Sequence, residues 1–216
     1  MRIATLGQVT TDWNAWHNAY DDPESGLSQR LRIIQGLIGE WLDRTAPRDV
    51  RVVSACAGDG RDLLGVLRDR GDSERVTATL LEYDEANVAR ARSAAAEFPA
   101  ISVRHVDAGQ IASYEGAVSA DLLLMAGIFG NISDEDIRIT IEALPGMCNP
   151  DALVIWTRHR GAPDLTPTIR SWFAAAGFTE ESFHGPADHV IGVGAHRYTG
   201  PAQTTPAPTT LFTFTR

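Results

Sequence analysis

The sequence predicts an α/β fold: a doubly wound, mostly parallel sheet with a closing antiparallel hairpin. Short apolar runs alternate with helical patterns about five times, the rhythm of βα units. Residues 52–65, Val-Val-Ser-Ala-Cys-Ala-Gly-Asp-Gly-Arg-Asp-Leu-Leu-Gly, lead a strand through a small-residue turn into a helix. Further strand-like runs follow the last helical stripe, at Phe183, 190–193 and 211–214. The 216 residues suit one large domain or a domain with an appendage. Hydrophobic content of 44% and charged content of 22% are those of an ordinary globular chain.

Residues 10–23 hold Trp13, Trp16, His17 and Tyr20 without apolar periodicity. They read either as an anchor onto the domain or as a lid whose aromatic faces meet a ligand. Residues 25–43 predict a helix, with Leu27, Leu31, Ile34, Ile38 and Trp41 as its stripe and Ser25 as its N-cap. We divide the chain accordingly: 1–45 is an N-terminal segment and helix packing on or capping the core, and 46–216 is the main domain. The first core strand spans 51–55, and the helix after it ends near Gly71, a C-cap glycine. A second strand, 76–83, carries Glu82 at its carboxyl end, followed by Tyr83, Asp84 and a helix from 85 to 92.

The third strand, 101–106, contains His105 as a structural residue and leads to Asp107-Ala108, where Asp107 reads as a ligand contact or as the N-cap of a helix over 108–113, two roles that can hold at once. The fourth spans 120–128 and opens into a loop with Gly127, Phe129, Gly130 and Asn131. A helix over 133–144 starts with Ser133 and Asp136, a relative of the capping box. Pro145-Gly146 and Asn149-Pro150 mark a turn. The fifth strand, 151–157, ends at Arg158-His159-Arg160. Ile169, Trp172 and Phe173 form the last helical stripe, ending at Gly177. In the late strands, the Pro/Thr-rich stretch 199–210 is the loop of the hairpin.

In such a sheet a ligand sits beyond the carboxyl ends of the strands. Gly58 and Gly60 let backbone approach it, and the following helix offers N–H groups to an anion. The dinucleotide pattern G-x-G-x-x-G is incomplete, since position 63 is leucine. The G-x-x-x-x-G-K-[ST] phosphate loop is absent. Glu82, 22 residues beyond Gly60, stands where an acid accepts hydrogen bonds from ribose hydroxyls.

These features resemble the class I S-adenosylmethionine (SAM) methyltransferases. The turn around Gly58 and Gly60 is similar to their cofactor loop. Leu-Glu-Tyr-Asp-Glu-Ala-Asn-Val-Ala-Arg-Ala-Arg is similar to their second-strand motif. The segment 170–178 resembles their last helix. Two positions depart from the pattern: the family usually has an acid where this chain has Ser54, and a glycine where it has Cys56. The resemblance implies a Rossmann-like methyltransferase fold over 48–216. It implies SAM as cofactor and S-adenosylhomocysteine as product. Its implied cofactor contacts are Ala57, Gly58, Asp59, Gly60, Glu82, Tyr83, Asp107, Ala108, Met125, Ala126 and Gly127.

Methyl transfer needs donor and acceptor held in line with water excluded. For an acceptor that must lose a proton, the candidate bases are His159, His17 and His196. Arg158, Arg160 and Arg197 are candidates for an acidic acceptor. The expected partner is a small-molecule methyl acceptor. A net charge of −9 argues against nonspecific binding to nucleic acid. No run of about 18 apolar residues predicts a membrane span, and no signal peptide is evident, so we expect a cytoplasmic protein. Cys56 and Cys148 read as reduced thiols, and no metal-ligand spacing is seen. Two other function classes stay open: a non-catalytic SAM-binding or regulatory protein, and an NAD(P)-dependent oxidoreductase.

Overall fold

A computed structural model describes residues 22, 24–185, 190–201 and 208–215. Trp13, Trp16, His17 and Tyr20, with their anchor and lid readings, lie outside these residues. The elements run α1 (Gly26–Thr45), β1 (Val50–Ala55), α2 (Arg61–Arg68), β2 (Val76–Glu82), α3 (Glu85–Ala95), β3 (Ile101–His105) and β4 (Ala120–Met125). Then come α4 (Asp134–Ala143), β5 (Cys148–His159), α5 (Thr166–Ala175), β6 (Phe178–His184) and β7 (Ile191–Tyr198).

One seven-stranded sheet has the order β3-β2-β1-β4-β5-β7-β6. Strands β1 to β5 pair in parallel, and β7 runs antiparallel to both β5 and β6. The order reverses between β1 and β4, and the carboxyl ends there flank an open crevice. Both faces are covered, which explains the unbroken apolar runs in the central strands. Along β4, Leu122 and Leu124 join Ile34, Ile38, Leu63 and Leu67 on one face. Leu123 and Met125 join Ile137, Ile141 and Phe173 on the other. Thus α1 shares its apolar cluster with the central strands.

Several boundaries differ from the sequence reading. Helix α2 stops at Arg68, and exposed Gly71 lies beyond it without the positive φ of a left-handed cap. No helix follows Asp107: its carboxylate accepts from the Gly109 N–H at 2.8 Å, capping a turn, and a short 3₁₀ helix starts only at Ile111. Ser133 does cap α4, accepting from the Asp136 N–H at 3.0 Å. The reciprocal half of the box is absent, because the Asp136 carboxylate accepts from the Thr213 N–H instead. Asn149-Pro150 is not a turn. It lies within β5, whose pairing jumps from Ala120↔Cys148 to Leu122↔Leu153. Proline offers no ladder N–H, so the strand bulges there.

The hairpin pairs β6 with β7, so the Pro/Thr stretch follows the hairpin instead of forming its loop. Residues 211–214 are not a strand of the sheet. The segment 208–215 crosses the carboxyl edge as a strap, through bridges Gln110↔Thr210 and Ile132↔Phe214. Its backbone is fastened on both sides: the Leu211 N–H donates to Gly109 O at 2.7 Å and the Thr215 N–H to Asn131 O at 2.9 Å.

Candidate functional site

The first wall of the crevice is the turn between β1 and α2. Cys56, Gly58 and Gly60 all have positive φ, at 51°, 60° and 80°. Gly60 caps α2, and a Cβ there would stand 2.8 Å from Leu64 Cδ1 and 3.0 Å from Leu80 Cδ1. Only glycine satisfies that backbone in that space. Cys56 takes the left-handed conformation with a side chain, at the position where the resembled family has glycine. Burial, then the charges of Glu82 and Asp107, push its thiol above the ordinary range, so it stays protonated. The Ala57 N–H donates to Leu81 O at 2.9 Å, which ties the turn to β2.

Glu82 is the second fixed point. It is 7% exposed, so it is not a solvated strand-end charge. One carboxylate oxygen accepts from the Gly58 N–H at 2.7 Å and the other from the Asp84 N–H at 2.8 Å. Each oxygen retains further acceptor capacity, and the residue lines the crevice. Asp84 caps α3 through the Asn87 N–H. Beyond β3, buried Tyr114 donates to Ala108 O at 2.8 Å and sets the Asp107 turn. Beyond β4, the Gly127 N–H donates to Thr157 Oγ1 at 2.8 Å, and Gly127 O accepts from Asn131 Nδ2 at 2.7 Å.

Together these walls enclose a cavity of about 400 Å³, within the ~300–1,000 Å³ range of small-molecule sites. Of the sequence candidates, the structure brings Ala57, Gly58, Asp59, Glu82, Tyr83, Asp107, Ala108, Ala126 and Gly127 to it. Gly60 and Met125 are not in the wall. Gly60 is packed beneath the turn, and Met125 points into the core opposite.

The described candidate bases lie elsewhere. His159 is exposed at the end of β5 and accepts from the Gly161 N–H through Nδ1 at 2.9 Å. His196 is buried in β7, stacked on Phe173 at 4.4 Å, and accepts from Trp156 Nε1 at 3.1 Å. Burial holds its pKa down at about 4. His17 lies outside the described residues. The candidate arginines fasten structure too: Arg158 donates to Phe129 O, Arg160 to Gly185 O at 2.7 Å, and Arg197 pairs with Glu181.

Other wall residues escaped the sequence reading. Arg30 comes from α1, Arg61 and Asp62 from the first turn of α2, and Phe212 and Phe214 from the strap. Arg30 did leave a signal: it occupies the seam of Ile34, Ile38 and Trp41, where a charge is out of place without a role. The strap left a weaker one, apolar residues after a Pro/Thr stretch that admit several placements.

Solved structures share this architecture. An N-methyltransferase, NodS from Bradyrhizobium japonicum WM9, is 15% identical with a TM-score of 0.60, covering 84% of this chain and 99% of its own. The magnesium protoporphyrin IX methyltransferase ChlM from Synechocystis PCC 6803, solved with bound SAM, is 14% identical with a TM-score of 0.65, covering 87% and 91%. An O-methyltransferase family protein from Burkholderia thailandensis is 16% identical with a TM-score of 0.62, covering 88% and 62%. No protein-family profile and no curated protein matches the sequence. The chain has the Rossmann-like fold of the class I SAM-dependent methyltransferases.

Proposed function

We propose that this chain binds SAM and transfers its methyl group to a small-molecule acceptor, releasing S-adenosylhomocysteine. The observation that carries the reading is Glu82, buried under the glycine turn with both oxygens fixed by backbone N–H groups at the mouth of the β1–β4 crevice. A carboxylate held in this way presents its remaining lone pairs to a ribose without reorganising. Asp107 stands one strand further out, beside Ala108 and Phe212, where a purine edge would lie. The fold and the methyltransferases that share it support the same reading.

SAM, when bound, supplies an activated methyl on a sulfonium. The chain's own contribution is position and exclusion of water: the turn backbone, the Gly127 loop and the strap enclose the cavity on three sides. Among the described wall side chains the proton acceptors are carboxylates, and the Cys56 thiol keeps its own proton. This arrangement suits an acceptor that is already nucleophilic. It also keeps a second reading open, a SAM sensor that transfers nothing, which binding without turnover would support.

Titration calorimetry with S-adenosylhomocysteine, run beside NAD and NADP, tests the cofactor. Micromolar binding of S-adenosylhomocysteine alone is expected. Glu82→Ala removes a charge-assisted hydrogen bond of about 1.5–3 kcal/mol, so affinity falls about 10- to 100-fold. An unchanged dissociation constant would remove Glu82 from the site, and dinucleotide binding would replace the proposed function altogether.

A further inference from the structure

Five carboxylates line the cavity, and four have local partners. Asp59 is gripped by the Arg61 guanidinium through both oxygens. Glu82 accepts from Gly58 and Asp84, Asp84 from the Asn87 N–H, and Asp107 from the Gly109 N–H. Asp62 differs. Half-buried in the first turn of α2, its carboxylate makes no hydrogen bond or ion pair among the described residues.

Arg30 reaches the same cavity from α1. It is 7% exposed, and its Nη1 lies 3.9 Å from where a Cβ on Gly127 would stand. That places a cation at the β4 end of the crevice, while Glu82 and Asp107 stand at β2 and β3. Strand spacing puts these two ends about 10–14 Å apart. Arg30 is also close enough for its charge to act on Asp62. One end of the cavity therefore offers acceptors for sugar and purine, and the other a cation beside an acid without a hydrogen-bonding partner among the described residues. An amino acid carries the complementary pair of charges. Ser54, where the resembled family carries an acid, is 5% exposed and outside the cavity wall, so it is not positioned to take part.

We propose that Arg30 and Asp62 form the subsite for the amino-acid end of the methyl donor, Arg30 taking the α-carboxylate and Asp62 the α-ammonium. This rests on the SAM reading above and assigns a task to two residues on helices. It moves amino-acid recognition off the end of β1, so α1 becomes part of the cofactor site. Burial raises the Asp62 pKa and the Arg30 charge opposes that rise, as befits an acid awaiting a cation.

The test uses three ligands on the full chain: S-adenosylhomocysteine, its decarboxylated analogue S-adenosyl-3-thiopropylamine, and 5′-methylthioadenosine, which lacks the amino-acid end. Asp62→Asn should weaken S-adenosylhomocysteine about tenfold or more and leave 5′-methylthioadenosine within about twofold. Arg30→Met should weaken S-adenosylhomocysteine to a similar degree and leave the decarboxylated analogue unchanged, the signature of a coupled pair. Arg30→Lys, which keeps the charge, should recover part of the loss. Retained 5′-methylthioadenosine binding shows that each variant still builds the pocket. Equal losses on all three ligands would make these residues structural, and no loss on S-adenosylhomocysteine would leave them to the acceptor. Either result overturns the proposal. If the unaltered protein binds none of the three, the SAM reading fails and takes the subsite with it.

Discussion

His196 shows what burial does to a titratable side chain. Its Nδ1 is occupied by the Trp156 indole, and its Nε2 is buried without a hydrogen bond, the nearest acid being Glu180 at 3.4 Å. Glu180 is itself gripped by Arg170 through both oxygens. The neutral ring is therefore favoured in the fold, with a pKa of about 4 against an ordinary 6.5. Its stabilising contribution is present above pH 6.5 and disappears as pH falls from there toward 4. The full effect is roughly 3 kcal/mol. Urea midpoints should fall between pH 7 and pH 4.5 more steeply for the natural chain than for His196→Asn. Parallel slopes would show that the ring does not drive the loss. Residue type alone had made His196 a candidate base, because the sequence carries no sign that β7 turns it into the Phe173 layer. Glu82 was legible, since its place is set by distance along the chain from Gly60 to the end of the next strand. Arg30 lay in view as a charge on an apolar seam.

Among the elements, β1, β2, β4 and the helices between them could be read from periodicity because they are buried on both faces or carry one clear stripe. The strap could not. Residues 211–214 have the apolar character of a strand, but their neighbours are loops, and periodicity cannot say which backbone a segment will pair with. The same limit applied to Asn149-Pro150, where turn residues make a bulge inside β5. Gly109 shows how closely the strap is fitted: a Cβ there would stand 2.3 Å from Phe212 O. Gly109→Ala should lift the strap while leaving the sheet intact. We expect faster proteolysis near 208–215, weaker S-adenosylhomocysteine binding and near-natural far-UV circular dichroism. Proteolysis at the natural rate would show that the loop after β3 yields instead.

At the scale of the whole molecule, two apolar clusters cover opposite faces of one sheet, and α1 takes part in one of them. A ligand held between turn, loop and strap contacts groups the unfolded chain does not assemble, so it must raise stability by mass action. At a hundredfold excess over its dissociation constant the gain is about 2.7 kcal/mol. For a chain of this size that is a rise of about 5–10 °C in the melting midpoint. S-adenosylhomocysteine should produce it and NAD should not. A flat melting temperature across that titration would contradict binding at a preformed cavity.

The strap also bears on how the chain is made. Outside the strap, every described wall residue of the cavity has been synthesised by Gly127; the first wall residue of the strap, Phe212, follows 85 residues later (212 − 127). At about 5–20 residues per second, a ribosome needs about 4–17 s to cover that distance. For that time the nascent chain carries the glycine turn, Glu82 and the first four strands with the crevice lacking its third wall. Its exposed apolar edge is then a surface for chaperones, and a growing chain would hold a ligand in the crevice only weakly until the strap arrives.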